Sequence, residues 1–556
     1  MSNTLLIPSA GLVPDELKLD LGPIPTGMIP LDGKTAFEHI AQSYEEAGTS
    51  PDFCRIILCY DGSEKIRNWQ ERSEYDWEVI DVDDPNSLGE TIEKGICEGI
   101  ELGLIDDSGM FIHFADTLVY PTSSSDQRDR ISFDYVDHPL RWTTFETSSD
   151  DRISEISSKY TNGNEQQKKT FVGQFQISNP YSFHQVLQQT LEKKSINDYD
   201  PYYTSLLEYL SNKNYDLRQP DRWIDLGHLD TYHAAGIEYL NTRGFNHLHV
   251  DKDKFIVKKQ SDNTEILSPE IRWYDNLPAD MKPLIPHVLN YSTEEDPYIK
   301  LEFVGYPKAS DLYLYGGHDI HIWKTIFSSI LDIVDRFRSH KAESANMAAS
   351  AREEMFLNKT ISRLSQASDQ ENLQKYFESD SLTINGTEYP SVKTIATRLE
   401  DDLKQRNLLD TFEPTLIHGD LSLSNIMVDV RSHKIKLVDP RGEFGSYDIH
   451  GDYLYDLAKL THSVCGQYEF IINDRFTVNT QDDTINYSIW NNENHDRRQN
   501  LFITLLQSRY PQEFNRIKAI ESLLWLSMLP LHSDKPDRQY VMLGQGIEKY
   551  SSEFIR

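Results

Sequence analysis

Residues 416–429 read LIHGDLSLSNIMVD and residues 434–442 read KIKLVDPRG, and these two stretches decide the fold of the second half of the chain. Asp420 follows an apolar stretch and a His-Gly turn, and Asn425 lies five residues later. Asp439 ends the apolar run IKLV, fourteen residues beyond Asn425. Short apolar runs separated by polar turns are typical of strands. The pattern therefore predicts a strand-loop-strand hairpin that brings the three polar side chains around one pocket.

The residue types at these three positions are those that phosphoryl transfer uses. One carboxylate can orient an attacking hydroxyl and accept its proton, while an amide and a second carboxylate can hold Mg²⁺ on the phosphates of a nucleotide. Isolated Asp and Asn residues are usually turn formers. Three such groups at this spacing, each beside an apolar run, favour a functional site over a turn. His418 is expected to pack and hydrogen-bond rather than to transfer protons.

The two stretches resemble the aminoglycoside phosphotransferase and choline kinase family, which shares the protein-kinase fold. The likeness lies in the family's HGDxxxxN motif followed by a metal-binding aspartate. The resemblance implies Asp420 as the catalytic base, Asn425 as a magnesium ligand and Asp439 as the principal magnesium ligand. Asp439 is followed by Pro-Arg-Gly rather than by Phe-Gly, which favours small-molecule kinases over protein kinases.

The resemblance covers residues 246–556 and implies a bilobal α+β domain. The N-lobe is expected at 246–308 and a mainly helical C-lobe at 309–556. The run GDYLYDLAKL resembles the family's structural aspartate and helix start. Asp452 and Asp456 within it are expected to cap a helix and hydrogen-bond rather than to catalyse.

A kinase N-lobe supplies a lysine for the phosphates and a glutamate that holds it. FIVK, at 255–258, matches the V-A-I-K pattern, so Lys258 is expected on the nucleotide face and Lys259 on the opposite face. Its partner is predicted to be Glu270, in the following helix, with Glu265 as the alternative.

LEFVGY, at 301–306, is expected to be the hinge strand, whose backbone at Glu302 would meet the adenine. No GxGxxG precedes Lys258. Protein-kinase chemistry with a glycine-rich lid is therefore less favoured than the small-molecule branch, which often lacks that lid.

The first 120 residues alternate strand-like runs such as FCRIILCY with helix-like segments such as TAFEHIAQSYEEAG. That order predicts a doubly wound α/β domain with a parallel sheet. The pattern changes near residue 245. The chain is accordingly divided into a first domain at 1–245 and a second at 246–556.

Four segments of the first half resemble sugar-1-phosphate nucleotidylyltransferases: LLIPSAG at the N-terminus, PTGMIPLDGKTAFEHI at 25–40, FADTLV at 114–119 and WIDLGHLDTYHAA at 223–235. The resemblance implies that the loop at Gly11 cradles nucleotide phosphates. It implies Asp116 and Asp225 as metal ligands. Two such carboxylates could share Mg²⁺ and align a phosphate oxygen for attack on an α-phosphate.

The phosphate loop departs from that family's pattern. The family reads Gly-x-Gly-Thr-Arg, whereas Gly11 is followed by Leu-Val-Pro-Asp-Glu-Leu. Thr26 stands where a lysine is expected after Pro25. A triphosphate would lose two positive contacts that also stabilise the transition state. Lys18 is a candidate replacement, and the sequence leaves open whether this domain turns nucleotides over or only binds them.

Composition bounds the class of protein. The chain has 55 basic and 89 acidic residues, so its formal net charge is −34. Phosphate-backbone binding depends on Lys and Arg, so a nucleic-acid or anionic-membrane partner is disfavoured. Four cysteines without a CxxC pair disfavour a disulfide framework and a zinc site. The N-terminus lacks a signal-peptide pattern, and LLWLSMLPL at 523–531 is too short to span a bilayer, so a cytoplasmic protein without membrane insertion is expected.

Together the motifs predict an ATP- and Mg²⁺-dependent kinase that phosphorylates a hydroxyl of a sugar, polyol or amino alcohol. The fused first domain would couple the product to a nucleotide, with CTP or UTP as the second triphosphate, which is the logic of activating a sugar or alcohol for a surface polysaccharide. The alternative is a kinase whose first domain has lost catalysis and only binds a sugar nucleotide or acts as a scaffold. A protein kinase with a regulatory domain is a third, less favoured, interpretation. The partner is expected to be a small molecule, and a homo-oligomer is left open.

Overall fold

The computed structural model describes residues 4–48, 53–120, 128–136, 139–158, 167–193, 199–238, 247–251, 254–261, 264–294, 296–491 and 493–555. The chain divides into two compact units. The first comprises Met1–Gly236 and Tyr315–Gly317, and the second Ile237–Leu314 and His318–Arg556. The division predicted near residue 245 lies outside the described residues and stays a prediction. Both units mix helices and strands.

The first unit is built on a twisted sheet with helices between its strands. Its strands are β1 (Thr4–Ser9), β2 (Pro30–Leu31), β3 (Lys34–Thr35), β4 (Cys54–Cys59), β5 (Glu78–Asp81), β6 (Met110–His113), β7 (Thr117–Tyr120), β8 (Asp129–Val136), β9 (Thr143–Thr147), β10 (Ile153–Ser158), β11 (Lys168–Ile177), β12 (Tyr215–Arg218) and β13 (Arg222–Asp225). Its helices are α1 (Asp15–Leu21), α2 (Ala36–Glu46), α3 (Ser63–Gln70), α4 (Leu88–Glu101), α5 (Pro180–Glu192), α6 (Pro201–Leu210) and α7 (Leu229–Glu238).

The sheet runs in the order β10-β9-β11-β6-β1-β4-β5. β6, β1, β4 and β5 are parallel, and β11 joins β6 antiparallel. In the register, Thr4 of β1 lies opposite Cys54 of β4 and Met110 of β6. Ligands of parallel sheets bind beyond the carboxyl ends of the strands. The turns after β1 and β6 therefore share the edge at which a site is expected.

Helices cover both faces of this sheet because its strands are apolar on both sides. Ile112 of β6 lies in a buried cluster with Ile92 and Ile96 of α4. The neighbouring Phe111 points the other way and meets Tyr44 of α2 at a ring-centroid distance of 5.1 Å. Successive side chains of a strand alternate between faces, so this pair places one helix layer on each side, as a doubly wound domain requires.

The second unit contains a small antiparallel sheet followed by many helices. Its strands are β14 (His247–Asp251), β15 (Ile256–Gln260), β16 (Val288–Ser292), β17 (Tyr298–Glu302), β18 (Ser381–Ile384), β19 (Thr387–Pro390), β20 (Thr415–Leu416), β21 (Ile426–Asp429), β22 (Lys434–Leu437), β23 (His450–Gly451), β24 (Phe476–Gln481) and β25 (Thr484–Ile489). Its helices are α8 (Thr264–Asn276), α9 (Ala309–Leu314), α10 (Ile320–Arg338), α11 (Ala348–Arg352), α12 (Lys359–Ser368), α13 (Glu371–Glu378), α14 (Val392–Gln405), α15 (Tyr453–Val464), α16 (Tyr468–Ile472), α17 (Glu493–Arg509), α18 (Phe514–Met528) and α19 (Pro536–Phe554).

The first part of this unit is a four-stranded sheet in the order β14-β15-β17-β16, with α8 after β15. Further along the chain, β21 and β22 form the predicted hairpin, with Ile426 opposite Leu437. Asn425 directly precedes β21, and the Val438 amide donates to the Asn425 carbonyl at 3.0 Å. The start of β21 and the end of β22 thus lie at one end of the hairpin, which brings Asn425 and the segment around Asp439 together.

The helical part of the unit holds a sheet that the sequence analysis did not predict. It runs in the order β19-β18-β25-β24. The turn between β18 and β19 uses Asn385 and Gly386 in the left-handed region, with φ of 49° and 78°. This dipeptide between alternating apolar residues is a hairpin signal. The expectation of a mainly helical C-lobe is incomplete for this reason.

Among the described residues, no helix is both long enough and apolar enough to cross a lipid bilayer.

Candidate functional site

Asp420 lies in the turn that leads into β21 and is held by two neighbours. Asn425 Nδ2 donates to the Asp420 carbonyl oxygen at 2.8 Å and to Asp420 Oδ2 at 3.0 Å. Lys459 Nζ, from α15, lies 2.8 Å from Asp420 Oδ1. An ammonium and an amide donor both favour the ionised carboxylate. Asp420 is therefore held as a charged hydrogen-bond acceptor, with Asn425 on one carboxylate oxygen and Lys459 on the other.

Buried groups support this turn from below. Asp456, near the start of α15, accepts hydrogen bonds from the amides of His418 and Gly419 at 2.7 Å and 2.8 Å. His418 Nδ1 accepts from the Asp420 amide at 3.3 Å, so its Nε2 donates to the Val438 carbonyl at 3.0 Å. Burial lowers the pKa of His418 to about 4 and keeps the ring neutral. His418 and Asp456 thus position the turn, which agrees with the roles expected for them.

A helix cap fixes α15, the helix that carries Lys459. Asp452 Oδ1 accepts from the Leu454 amide at 3.1 Å, as expected for a cap. The other oxygen of Asp452 accepts from Arg352 Nε at 2.8 Å in a buried ion pair. Lys459 was missed by sequence reasoning. The sequence holds one indication of its role: Lys459 lies three residues after Asp456, and residues three apart share a helix face.

Asp439 joins the site through a lysine of the small sheet. Lys259 Nζ, on β15, lies 2.9 Å from Asp439 Oδ1 and 2.6 Å from Glu270 Oε2, on α8. Burial acts to lower the pKa of Lys259, but the two carboxylates outweigh it and raise that pKa. Asp439 adopts the left-handed backbone region, with φ of 54°, which Asp tolerates better than most residues.

The prediction that Lys258 pairs with Glu270 is wrong, because Lys259 makes that contact. Lys258 Nζ instead binds Gln260 Oε1 at 2.7 Å and lies 5.0 Å from the ring centroid of Tyr298. The lysine that takes the place of the V-A-I-K lysine is therefore Lys259, one residue beyond the end of FIVK. Side chains alternate along a strand, so an error of one residue moves the lysine to the other face. Glu265, the alternative partner, has a side chain outside the described residues.

Glu302, predicted beside the adenine, is the last residue of β17. Its amide donates to the His287 carbonyl at 2.9 Å, and its carboxylate accepts from the His287 amide at 3.2 Å. These contacts hold the end of β17 against the residue before β16. A role for the following segment in binding a base stays a prediction.

The donor set at the hairpin end fits Mg²⁺. Asn425 turns its amide nitrogen toward Asp420, so its amide oxygen points away from that carboxylate. The Asp439 side chain is 57% exposed. Within the described ranges, no three His, Cys, Asp or Glu side chains form a group that could hold a metal ion. Mg²⁺ needs no such cage, because it keeps waters and binds one or two protein carboxylates together with substrate phosphates.

The first unit brings together the two carboxylates predicted for its own site. Asp116 follows β6, and Asp225 ends β13, which pairs with β7 so that Asp225 lies opposite Thr117. A Cβ atom placed on Gly227 would lie 2.8 Å from Asp116 Oδ2 and 3.4 Å from Asp225 Oδ1. Both carboxylates therefore line the same small space, which glycine leaves open.

The charges of this pair are only partly balanced. Burial raises the pKa of Asp116 to about 6, and the negative charge of Asp225 adds to the rise. Asp225 Oδ2 binds His228 Nδ1 at 2.8 Å and accepts from Thr231 Oγ1 at 2.5 Å. Two adjacent carboxylates that repel each other in a buried place are stabilised when a cation binds between them. The pair therefore has the chemistry of a divalent-ion site, although metal binding itself stays a prediction.

The loop at Gly11 follows β1 at the same edge of the sheet and is closed on itself. The Gly11 carbonyl accepts from Thr26 Oγ1 at 3.0 Å and from the Thr26 amide at 3.3 Å. Thr26 thus ties the loop together where the predicted family has a phosphate-binding lysine. Lys18, the candidate replacement, lies on α1 with its Nζ 2.9 Å from Asp15 Oδ1.

Three solved structures that resemble the N-terminal ~43% of the chain illustrate what it is similar to. A nucleoside-diphosphate-sugar pyrophosphorylase from Vibrio cholerae is 16% identical with a TM-score of 0.34, and the match covers 42% of this chain and 99% of that one. HddC from Yersinia pseudotuberculosis, complexed with GMP-PN, is 18% identical with a TM-score of 0.31, covering 43% and 99%. The CTP:phosphocholine cytidylyltransferase from Streptococcus pneumoniae is 12% identical with a TM-score of 0.34, covering 43% and 100%.

No protein-family model and no curated protein matches the sequence. The matched structures leave the second unit uncovered. At such low identities and TM-scores, the likeness assigns no activity. A function can therefore be proposed for this chain only from its own residues.

Proposed function

We propose that the second unit transfers the γ-phosphoryl group of ATP to a hydroxyl group of a small molecule. The observation that supports this best is the network in which Lys259 contacts both Glu270 and Asp439. A strand lysine held by a helix glutamate, near an aspartate that follows a later strand, is the arrangement by which protein-kinase-like enzymes bind nucleotide phosphates. Asp420 and Asn425 lie at the same hairpin end, where Asp420 supplies the base for the acceptor and Asn425 a ligand for Mg²⁺.

In the proposed reaction the acceptor oxygen bonds to the γ-phosphorus while Asp420 takes the hydroxyl proton. The bond from the γ-phosphorus to its bridging oxygen breaks, and ADP leaves with the electron pair. Lys459 keeps the Asp420 carboxylate charged and oriented, and Lys259 neutralises phosphate oxygens. Asn425 and Asp439 would hold Mg²⁺, which supplies positive charge at the phosphates when it is bound.

The test of the proposal is ADP formation by the purified full-length chain with MgATP and a panel of sugars, polyols and choline. We expect acceptor-dependent ADP release that exceeds the rate without acceptor. Calorimetric titration of MgATP runs in parallel. Failure of the wild-type chain to bind MgATP would overturn the proposal regardless of the acceptors chosen.

Lys259→Met should weaken MgATP binding by at least about tenfold, because the ammonium that meets the phosphates is lost. Lys258→Met is the matched control, since Lys258 is the preceding residue of β15 and its Nζ contacts Gln260 instead. We expect that control to stay within about twofold of wild type, as surface substitutions usually do. Calorimetry with MgATP measures both, and an equal loss in the two variants would contradict the assignment of Lys259.

We propose as a second activity that the first unit joins the phosphorylated product to a nucleotide, using CTP or UTP, as in the activation of sugars or alcohols for surface polysaccharides. The adjacent carboxylates of Asp116 and Asp225 support this. The alternative, a module that binds a sugar nucleotide without turnover, is supported by the closed Gly11 loop and by the local pairing of Lys18. Release of pyrophosphate from a triphosphate and a sugar phosphate separates the two. A cytoplasmic location and a small-molecule partner remain parts of this proposal.

Asp116→Asn and Asp225→Asn should each weaken Mn²⁺ binding by at least about tenfold, because one of two charged oxygen ligands is lost. Mn²⁺ is used because calorimetry and electron spin resonance both report it. Asp230→Asn is the control, since Asp230 is an aspartate of α7 that pairs with Arg141. Mn²⁺ affinity that is unchanged in both site variants would show that the paired carboxylates serve only the fold.

A further inference from the structure

The helix α15 presents one polar face beside Asp420. Tyr455, Lys459 and His462 lie at positions i, i+4 and i+7 of this helix, which share a face. Lys459 Nζ is bound to Asp420 Oδ1 at 2.8 Å. His462 is buried, its ring lies 4.0 Å from that of Trp525 at an angle of 49°, and neither of its ring nitrogens has a hydrogen-bond partner among the described residues. This face therefore carries both the cation that holds Asp420 and a tyrosine hydroxyl close to it.

A second cation reaches the same face from α12. Lys359 Nζ lies 3.4 Å from the Tyr455 hydroxyl and 5.8 Å from the centroid of its ring. In the part of the chain that the structure describes, Lys359 has no ion pair with a carboxylate. Burial lowers the pKa of Lys359, with the nearby cations Arg441 and Lys459 adding to the effect. A half-buried ammonium without a counter-ion is less stable than a paired one, and an anionic ligand would supply the missing charge.

A third cation, Arg441, lies over the turn that precedes Asp420. A Cβ atom on Gly419 would come within 2.8 Å of Arg441 Cβ, so the two segments touch there. Arg441 Nε is buried and has no hydrogen-bond partner among the described residues. Its Nη2 comes no closer than 3.8 Å to Glu443 Oε1, at an exposed rim. Most of the hydrogen-bonding capacity of this guanidinium is thus left for a ligand.

All three cations lower the pKa of the same side chain, that of Tyr455. Burial acts to raise the pKa of Tyr455, but Lys359, Lys459 and Arg441 outweigh it and lower that pKa to about 8. The cluster is positive although the whole chain has a net charge of −34. Asp420 pairs with Lys459 and Glu443 lies 3.8 Å from Arg441, whereas Lys359 has no carboxylate partner among the described residues. Such a local excess of positive charge concentrates anions at the place where the acceptor must enter.

We infer that the acceptor carries an anionic group, a phosphate or a carboxylate, which Lys359 and Arg441 bind while its hydroxyl faces Asp420. This inference rests on the proposed kinase function and narrows its substrate class. The same charges disfavour a choline-like or aminoglycoside-like cation, since like charges in a partly buried place repel. The substrate is then a phosphorylated or acidic sugar or polyol, and one of its free hydroxyls receives the phosphoryl group.

The first experiment compares acceptors that differ mainly in charge: glycerol, glycerate and glycerol 3-phosphate, and glucose, glucosamine, gluconate and glucose 6-phosphate. ADP release is measured at saturating MgATP with the full-length chain. We expect an anionic member to exceed its neutral and cationic counterparts at least about tenfold in kcat/KM, as a charge-assisted contact provides. A preference for a neutral or cationic member overturns the inference but leaves the kinase proposal standing.

The second experiment tests whether Lys359 binds the anionic group of the acceptor or the transferred phosphoryl group. Lys359→Gln should raise KM for the anionic acceptor at least about tenfold, while the KM for MgATP stays within about twofold of wild type. Lys375→Gln is the control, because Lys375 also lies over a tyrosine ring, 4.7 Å from the centroid of Tyr376 on α13. An equal fall of kcat on every acceptor would mean that Lys359 serves the transferred phosphoryl group, and the inference would fail.

The third experiment tests the anion site directly and applies even if no acceptor of the panel is phosphorylated. Inorganic sulfate is titrated calorimetrically into the wild-type chain that is saturated with Mg²⁺ and a non-hydrolysable ATP analogue. We expect binding that is at least about fivefold weaker in Lys359→Gln and unchanged in Lys375→Gln. No sulfate binding to the wild type overturns the inference. Absence of nucleotide binding overturns the kinase proposal, and the titration without nucleotide then tests the anion site alone.

Discussion

Asp420→Asn should lower kcat by about 10²- to 10⁴-fold, the range that a positioned general base contributes. Asparagine has the same shape, its single side-chain oxygen can still accept from Lys459, and the backbone carbonyl of residue 420 keeps its hydrogen bond from Asn425. It cannot take the proton of the acceptor hydroxyl. MgATP affinity should stay close to wild type, because the nucleotide phosphates meet Lys259 and Asp439 instead. Steady-state ADP release and calorimetry measure the two quantities.

The control for this variant is Asp429→Asn. Asp429 ends β21 in the same hairpin, and its carboxylate accepts from the amides of Arg431 and Ser432 in the turn that follows. We expect kcat of this variant to stay within about twofold of wild type. Thermal unfolding of both variants shows whether each is folded. Wild-type kcat in a folded Asp420→Asn protein would remove Asp420 from the reaction.

Asp439→Asn should weaken MgATP binding by at least about 100-fold, because the main carboxylate for the metal and the phosphates becomes neutral. Asparagine is chosen over alanine because Asp439 has a φ of 54°, and Asn, like Asp, adopts the left-handed region with little strain. The loss can then be read as a loss of charge and not of backbone conformation. Titration of ATP with and without Mg²⁺ separates the metal-dependent part of the binding.

Asp448→Asn is the matched control for Asp439→Asn. Asp448 is also an exposed aspartate, with a side chain 56% accessible against 57% for Asp439, and its Oδ1 lies 3.8 Å from His450 Nδ1. MgATP affinity in this control should equal that of the wild type. Should Asp439→Asn bind MgATP as the wild type does, Asp439 would be a strand-end residue without a metal role.

The hairpin that carries the candidate site was predictable from the sequence because its information is local. Two apolar runs and a turn fix β21 and β22, and their antiparallel pairing brings Asn425 and the segment around Asp439 to one end. Asp116 lies in the turn after β6, at the edge where ligands of parallel sheets bind, whereas Asp225, at the end of β13, was expected there from the family resemblance. Whether either pair binds a metal stays a prediction.

Other features could not be read from the sequence because they depend on contacts between distant segments. Nothing local distinguishes Lys259 from Lys258, since both follow the same apolar run. The choice is made by the pairing of β15 with its neighbours and by the helix that carries Glu270, 11 residues away. The contacts of Lys459 and Lys359 also depend on distant segments. Neither residue was predicted, because a lysine on a helix is usually a solvated surface residue.

The sequence by itself determined which residues could do chemistry and which local elements carry them: the hairpin of β21 and β22, the alternation of strands and helices in the first unit, and the carboxylates at their ends. Tertiary structure decided which charges meet. It selected Lys259 over Lys258, bound Lys459 to Asp420, and gathered Lys359 and Arg441 around Tyr455. The physical reason is the separation along the chain over which each kind of interaction is set. Strand and turn patterns arise from neighbours along the chain, whereas an ion pair needs two groups within about 4 Å in space, and only the packing of distant elements sets that distance.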